Sequence, residues 1–318
     1  MTPPVDRSPP ASPPIAAIVG PTASGKSDLA QAVAAQLPVE ILVADSRQVY
    51  RGMDLGTAKP KEAARAAVPH HLLDLVAPDE PFTVADWVQR ARTVVPEVWA
   101  RGHLPLLVGG TGLYLSALVD GYDLAAQPWS PELRRELAAE MADVGLQPLA
   151  ARLESLDPEA GARTDLRNPR RVLRALERVI AAGGTLPAPS ARPWPGRLAL
   201  LGITRPRDVL EGRIRDRAAW MFGHGLLDEA RRLADQGYAP DSAPMTGHGY
   251  REALRVLARE WSVEQAIEVT AHHTRQYAKR QMTWFRRDQR IVWLPAGERP
   301  ASELAGQAAD LIRRLTAQ

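Results

Sequence analysis

Eight consecutive residues near the start of the chain have the types and spacing of a loop that binds phosphate. Residues 20–27 read Gly-Pro-Thr-Ala-Ser-Gly-Lys-Ser and satisfy the pattern G-x-x-x-x-G-K-S/T. Glycines let the backbone fold around phosphate groups, so that successive N–H groups and the next helix N-terminus supply positive potential. Lys26 adds a mobile cation, and the Ser27 hydroxyl is suited to Mg²⁺. We therefore expect a phosphate loop formed by Gly20, Pro21, Thr22, Ala23, Ser24, Gly25, Lys26 and Ser27.

An aspartate and a glycine-rich turn follow two other apolar segments. Asp45 comes directly after residues 41–44, and Thr111 stands in the Gly-Gly-Thr-Gly sequence that follows residues 104–108. The carboxyl ends of parallel strands line the ligand crevice, so we expect Asp45, Thr111 and the phosphate loop to converge. Asp45 could act as a base near the reacting end of a phosphorylated substrate, or it could simply form the turn.

The phosphate loop by itself does not identify the molecule that carries the phosphates. Most such loops bind nucleotides, and ATP hydrolysis usually goes with an acidic residue at the end of a later strand. Residues 104–108 are followed by glycine instead, and the first acid after them is Asp120. The sequence therefore favours a loop that holds a diphosphate other than a nucleotide. A small-molecule or nucleotide kinase is the alternative.

Short apolar segments that alternate with helical ones must position these residues. We predict strands at 15–19, 41–44, 104–108, 198–203 and 291–294, a helix from the phosphate loop through Leu37, and another over 83–100. Continuous apolar strands joined by helical crossovers indicate a parallel sheet covered on both faces. The predicted fold class is α/β, a P-loop NTPase-like parallel sheet covered by helices, with an all-helical insertion.

Strand signals are missing between about residues 127 and 196. Three helix starts there share a capping residue followed by proline, namely Ser130-Pro131, Asp157-Pro158 and Asn168-Pro169. We therefore predict a helical insertion over 127–196, inside a core of residues 15–126 and 197–318. Residues 1–14 contain six prolines and no apolar periodicity, which predicts a disordered tail without a legible targeting signal.

Composition excludes several classes of protein. The chain of 318 residues contains no cysteine, which excludes disulfides, iron–sulfur clusters and thiol nucleophiles and favours the cytoplasm. No apolar run approaches the roughly 18 residues that a membrane helix needs. The net charge of +3 is unevenly distributed, because residues 163–178 carry +4, residues 272–290 carry +5 and the rest of the chain carries −6. Two local basic regions are typical of a polyanion-binding surface, although solvated helices would give the same pattern.

Five segments, in order, resemble those of the bacterial tRNA dimethylallyltransferases, also called tRNA isopentenyltransferases. They are the phosphate loop, residues 45–50 (Asp-Ser-Arg-Gln-Val-Tyr), 52–60 (Gly-Met-Asp-Leu-Gly-Thr-Ala-Lys-Pro), 107–114 (Leu-Val-Gly-Gly-Thr-Gly-Leu-Tyr) and 274–281 (Thr-Arg-Gln-Tyr-Ala-Lys-Arg-Gln). The resemblance implies transfer of a dimethylallyl group from dimethylallyl diphosphate to N6 of adenosine 37, adjacent to the anticodon of tRNAs, with release of diphosphate. It also implies assistance by Mg²⁺, and we expect a cytoplasmic monomer that does not bind membranes.

The same resemblance assigns roles to site residues. Asp45 is implied to accept the N6 proton, while Arg217 and Thr111 act on the diphosphate and Ser27 binds Mg²⁺. Extraction of the target base from the loop would bring it to Asp45, Ser46, Arg47 and Gln48.

The basic regions would then hold the RNA backbone. In the first region Arg167, Arg171, Arg174 and Arg178 are spaced 4, 3 and 4 apart, which places them on one helix face. In the second, Tyr277, Trp284 and Phe285 alternate with cations and could stack on unpaired bases, although each of these rings taken singly is more often part of a core. The expected tRNA contacts are Arg167, Arg170, Arg171, Arg174, Arg275, Lys279 and Arg280.

One position departs from the family pattern. His248 stands where the family usually has an aliphatic residue, and a turn or an RNA contact would explain it without a metal. Beside the kinase, a non-catalytic RNA-binding protein with a vestigial loop is a third alternative, disfavoured because the phosphate loop, Asp45 and Thr111 are all present.

Overall fold

A parallel sheet is the centre of the larger part of the chain. The computed structural model describes residues 12–122, 130–186 and 191–317. Within these ranges six strands form one sheet in the order β3-β2-β4-β1-β5-β6, and every neighbouring pair is parallel. The strands are β1 (Ile15–Val19), β2 (Val39–Val43), β3 (His70–His71), β4 (Leu104–Gly109), β5 (Leu198–Thr204) and β6 (Val292–Pro295).

Helices connect the strands and continue beyond them. They are α1 (Lys26–Ala34), α2 (Glu62–Ala67), α3 (Val84–Ala100), α4 (Gly112–Val119), α5 (Pro131–Val144), α6 (Leu146–Leu156), α7 (Pro158–Arg163), α8 (Pro169–Ala181), α9 (Arg207–Gly223), α10 (Leu226–Asp235), α11 (Tyr250–Leu257), α12 (Val263–Phe285) and α13 (Ala305–Ala317), with a 3-10 helix at Ala301–Leu304. The predicted α/β class is confirmed.

The central strands are buried along their whole length, as their continuous apolar sequences predict. All five residues of β1 are buried, and its Ala16 and Ile18 pack in one cluster with Leu29 of α1 and Ile312 of α13. Beside β2, the buried indole of Trp87 in α3 donates a hydrogen bond to the Val43 carbonyl at 3.1 Å. Burial of this apolar surface is the main force that holds the sheet and its helices together.

Strand bounds follow the predictions closely, with two exceptions. The strand β2 begins at Val39 rather than residue 41, because Val39 pairs with Leu104 and Glu40 continues the ladder. The two-residue edge strand β3 was not predicted, since His70 and His71 carry no apolar signal. The first helix ends at Ala34 rather than at the predicted Leu37.

Residues 121–192 form a compact unit of their own, and the described part of it contains helices α5 to α8. Its apolar core joins Leu137, Leu149, Leu153, Val172 and Leu176. The three predicted caps are confirmed, because the side chains of Ser130, Asp157 and Asn168 accept hydrogen bonds from backbone N–H groups of α5, α7 and α8.

Some predicted segments lie outside the described residues. They are residues 1–11 of the expected tail, and residues 123–129 and 187–190 around and within the expected insertion.

Candidate active site

The phosphate loop joins β1 to α1 in a backbone conformation that its sequence makes possible. Gly20 has a φ of +145°, and a Cβ there would lie 2.8 Å from the Ile203 carbonyl oxygen. The loop carbonyls are occupied, since Arg213 Nε donates to Ala23 O at 2.9 Å and Arg205 Nε to Ser24 O at 2.8 Å. These oxygens are therefore engaged with guanidinium groups rather than left as free acceptors in a loop expected to bind an anion.

Two half-buried cations, Lys26 and Arg217, lie beside the loop, and the Lys26 amine donates a hydrogen bond to Pro21 O at 2.7 Å. The pKa of Lys26 falls from 10.5 to about 7, mainly through burial and then through repulsion by Arg217, against an opposing attraction from Asp45. Burial also lowers the pKa of Arg217, with Asp28 opposing and Arg213 adding to the effect. Desolvated cations that repel one another carry a cost which a bound anion would relieve.

These groups open into one cavity of about 1140 Å³. Its wall contains Asp45 from the end of β2, Lys26 and Ser27 from the phosphate loop, and Arg213 and Arg217, which are four residues apart on α9. The phosphate loop and Asp45 thus line the same cavity, as their predicted convergence requires. The catalytic and binding roles assigned to these residues remain predictions.

Asp45 also forms the turn that follows β2. Its Oδ1 accepts a hydrogen bond from Arg47 N at 2.9 Å, so the turn-forming role considered from the sequence is real and coexists with its place in the cavity wall. The turn is pressed against β4, because a Cβ on Gly109 would lie 2.0 Å from the Ala44 oxygen. A glycine at 109 is therefore what lets the two strand ends approach each other.

Thr111 adjoins the cavity through the Asp45 turn. Its Oγ1 accepts a hydrogen bond from Ser46 N at 3.0 Å. The pKa of the nearby Tyr277 phenol rises to about 12, mainly because of burial and then because of the Asp45 charge. Tyr277 itself lines the cavity.

Gln281 connects the phosphate loop to the end of β4 and was not singled out from the sequence. Its Oε1 accepts from Thr22 N at 2.8 Å, and its Nε2 donates to Gly110 O at 2.9 Å, in a buried position. The available signal was its spacing of four residues from Tyr277, which places both on one face of α12. Arg205 and Arg213 were likewise missed.

The segment 52–60 forms another part of the cavity wall, and hydrogen bonds to a buried carboxylate fix its backbone. The buried Glu229 carboxylate accepts hydrogen bonds from Asp54 N at 3.1 Å, Leu55 N at 3.0 Å and Gly56 N at 3.3 Å, and from the Tyr250 hydroxyl at 2.5 Å. A carboxylate inside such a turn fixes the backbone as a bound anion would.

Lys59 fixes the same segment from its other end. Its buried amine donates to Tyr50 O at 2.6 Å and pairs with Asp54 at 2.8 Å and Asp74 at 2.5 Å. From the Asp45 turn, Gln48 Nε2 donates to Thr57 O at 2.9 Å. Segment 52–60 is thereby positioned by buried polar contacts that come from distant parts of the chain.

The predicted RNA contacts of the larger unit differ in exposure. Arg47 is partly exposed and donates from a terminal nitrogen to the Ala243 carbonyl. Lys279 and Arg280 are exposed, Arg275 is half-buried, and the Arg280 guanidinium lies over the Tyr277 ring at 5.7 Å. For Phe285 the core alternative holds and the stacking one is wrong, because its ring is 1% exposed and cannot stack on a base.

The arginines of the smaller unit are only partly arranged as predicted. Arg171, Arg174 and Arg178 lie on α8, but Arg167 precedes Asn168, the residue that caps the helix, so the predicted common face excludes it. Arg170 is exposed. Arg171 lies 3.7 Å from Asp165, and Arg174 lies 3.0 Å from the buried Glu177, so carboxylates offset part of this positive charge.

Two absences concern only the described ranges. There, the structure contains no group of three or more His, Cys, Asp or Glu side chains placed to hold a metal ion. Nor does any helix among those residues have the length and apolarity needed to cross a membrane.

The chain is similar to a set of related enzymes. Residues 48–288 match the family model described as IPP transferase. A tRNA dimethylallyltransferase from Roseiflexus sp. strain RS-1 is 43% identical over 95% of this chain and 98% of its own length. The enzyme of the same name from Moorella thermoacetica is 43% identical over 95% of both chains.

Solved structures show the same likeness. A tRNA isopentenylpyrophosphate transferase from Bacillus halodurans is 37% identical, with a TM-score of 0.70 over 95% of this chain and 98% of that one. The corresponding transferase from Staphylococcus epidermidis is 33% identical, with a TM-score of 0.67 over 95% and 99%. A eukaryotic dimethylallyltransferase acting on tRNA shares the fold, at 22% identity and a TM-score of 0.72 over 90% and 75%.

Proposed function

The chain belongs to the IPP transferase family, and we propose that it transfers a dimethylallyl group from dimethylallyl diphosphate to N6 of adenosine 37 of tRNAs, releasing diphosphate. Dimethylallyl transfer to tRNA is the reaction named for relatives that match nearly its whole length, and this favours it over the kinase alternative. The position of the modified base and the roles of individual residues are our proposal.

One observation carries the proposal. The half-buried cations Lys26 and Arg217 share a cavity with the carboxylate of Asp45. Cations that repel each other without a bound anion suit a diphosphate leaving group, and a carboxylate beside them suits the proton of the attacking amine. A cavity with both functions is what alkyl transfer to an amine requires.

The bond changes follow from these two functions. The N6 amine of the adenine attacks C1 of the dimethylallyl group, the C1–O bond breaks, and its electron pair leaves with the diphosphate. The amine is a poor nucleophile because its lone pair is delocalised into the ring, so Asp45 accepts its proton as the C–N bond forms. Lys26, Arg217 and the N–H groups of the phosphate loop stabilise the charge that develops on the diphosphate.

Thr111 and its neighbours keep these groups in place. Because Thr111 Oγ1 accepts a hydrogen bond from Ser46 N, it fixes the turn that carries Asp45, and in the complex its hydroxyl is proposed to bond the diphosphate oxygen at the breaking bond. Gln281 holds Thr22 of the phosphate loop to Gly110 beside it. Positioning of this kind lowers the barrier because the reacting groups need no reorganisation.

The cavity also suits Mg²⁺, which the relatives' chemistry implies. Its wall contains Ser27, Asp28 and Asp45, whose side-chain oxygens are of the kind that bind metal ions. Mg²⁺ prefers a few protein oxygens together with substrate phosphates and water. We propose that Ser27 holds the ion. When bound it would neutralise part of the diphosphate charge.

The tRNA is proposed to bind with its anticodon stem-loop at the Asp45 turn. Ser46, Arg47 and Gln48 would meet the extracted adenine and its neighbours. Cations of the two units would hold the backbone, namely Arg275, Lys279 and Arg280 in one and Arg167, Arg170, Arg171 and Arg174 in the other. We also propose that the predicted insertion, residues 127–196, binds tRNA, and that the enzyme works as a cytoplasmic monomer.

A transfer assay tests the proposal. Purified protein is incubated with an unmodified anticodon stem-loop RNA, Mg²⁺ and dimethylallyl diphosphate, and the RNA is weighed by mass spectrometry. We expect the mass of one dimethylallyl group to be added without ATP, and a stem-loop with inosine in place of the target adenosine serves as the matched control. Turnover that needs ATP would support the kinase, and RNA binding without turnover would support the non-catalytic alternative.

A further inference from the structure

His248 lies in the turn before α11, next to the Asp45 cavity, and its ring is packed against aromatic neighbours. The imidazole stacks on His273 with ring centres 5.8 Å apart and lies 5.9 Å from the ring of Tyr277, a residue of the cavity wall. Where the family pattern has an aliphatic side chain, this chain therefore places a polar ring beside the proposed RNA site.

The two ring nitrogens of His248 have different surroundings. Nδ1 is shielded from solvent and has no hydrogen-bond partner among the residues that the structure describes. Nε2 is not shielded in this way. A polar atom buried without a partner costs free energy that an aliphatic side chain would avoid. In the free protein a histidine therefore packs less favourably than an aliphatic side chain would. This points to a role for its ring in a complex with a ligand.

The charge state of the ring defines what it offers. Burial, followed by the weaker effects of His273, Arg47 and Arg280, lowers the pKa of His248 to about 4, although the Glu252 carboxylate opposes the shift. The imidazole is therefore neutral near pH 7. A proton on Nε2 leaves Nδ1 as a bare lone pair, which is cheaper to bury than an N–H group, so the ring presents one donor towards solvent.

We propose that His248 is a specificity-determining residue, whose Nε2–H donates a hydrogen bond to an acceptor atom on an unpaired base of the anticodon loop. This inference rests on the proposed function. RNA is the occupant that fits, because Arg47 and Arg280 lie close enough to act on the ring and favour a polyanion there. A base edge fits better than a phosphate because a phosphate oxygen would be best served by a charged imidazolium.

Two substitutions separate this role from a packing role. His248→Ile restores the aliphatic side chain and removes the donor, whereas His248→Gln keeps a neutral donor. We expect His248→Ile to raise the dissociation constant and the KM for the stem-loop RNA about tenfold, the worth of one hydrogen bond. The KM for dimethylallyl diphosphate should stay unchanged, and the melting temperature of the free protein should rise. His248→Gln should recover most of the RNA affinity.

A set of altered RNAs identifies the acceptor. Each unpaired loop base is replaced in turn by an analogue that lacks one acceptor atom, and binding is measured by fluorescence anisotropy without dimethylallyl diphosphate. One analogue should weaken binding to the wild type yet leave binding to His248→Ile unchanged. Equal RNA affinity of wild type and His248→Ile would overturn the proposal. So would a His248→Ile protein that has a lowered melting temperature and loses the same affinity for every RNA in the set. Because these are binding measurements, failure of the proposed transfer reaction would be seen separately.

Discussion

The amine of Lys26 makes diphosphate binding dependent on pH in a direction that the structure specifies. Its pKa drops from the usual 10.5 to about 7 in the free protein. The difference corresponds to a net cost of the charged amine on the order of 5 kcal/mol, which burial and Arg217 impose and the attraction of Asp45 partly offsets. A bound diphosphate would remove much of this cost, because its negative charge faces the amine, so the pKa of Lys26 should rise on binding.

The pH dependence follows from these two pKa values. Below pH 7 Lys26 is charged in both the free protein and the complex, so affinity does not depend on this group. Above pH 7 the free protein has lost the proton that the complex retains, so each pH unit should lower affinity by about tenfold. The last ionisation of a phosphate ester lies near about pH 6, so the ligand itself adds little in this range.

Calorimetric titration with dimethylallyl diphosphate measures both quantities. Titrations from pH 6.5 to 9 in two buffers with different ionisation enthalpies give the dissociation constant and the number of protons taken up. We expect uptake that approaches one proton at the alkaline end. The Lys26→Arg variant, which stays charged, should show no slope between pH 7 and 9. Flat affinity for the wild type, or the same slope in Lys26→Arg, would refute the reasoning.

Three variants test the remaining parts of the site. Asp45→Asn keeps the acceptor for the turn but removes the base, so single-turnover transfer should fall by a factor of about 100 or more while RNA affinity is retained; equal loss of affinity would make Asp45 a recognition residue, and Asp216→Asn in the same cavity is the control. Replacing Arg171 and Arg174 by Ala should weaken tRNA binding and lower its salt slope by up to about two, whereas an unchanged slope would return α8 to an ordinary solvated helix. Gln281→Leu removes the partner of the buried Gly110 O and of the part-buried Thr22 N, so it should cost about 1 to 3 kcal/mol in denaturant unfolding and raise the KM for dimethylallyl diphosphate. Unchanged stability would contradict the bridging role.

Local sequence patterns predicted most of the sheet because each strand carries its own signal. Five of the six strands are short apolar runs, and four of them are buried on both faces along most of their length. The phosphate loop is recognised by glycines at fixed spacing. The edge strand β3 was missed because His70 and His71 are polar and pair with β2 only through the tertiary fold. Both alternatives stayed open for Phe285 because a ring between cations can face either the core or the solvent, and the structure buries it.

The supporting residues of the site could not be read from the sequence for a different reason. Gln281 is 259 residues from Thr22, and Glu229 is 174 residues from Leu55, in the hydrogen bonds that they make. Contacts at such separation depend on how distant helices pack, and neither residue belongs to a pattern that chemistry demands locally. The prediction that Arg167 shares a helix face with the other arginines was wrong for a local reason, since Asn168 caps the helix one residue after it.

The fate of the diphosphate tests the central claim most directly. The claim is that the cavity binds a leaving group rather than a phosphate to be transferred. Dimethylallyl diphosphate labelled in its terminal phosphorus is incubated with enzyme, Mg²⁺ and stem-loop RNA, and the labelled products are separated and counted against prenylated RNA. We predict one intact diphosphate released for each RNA modified. Label recovered as a single phosphate on an acceptor molecule, or no diphosphate released, would contradict the account.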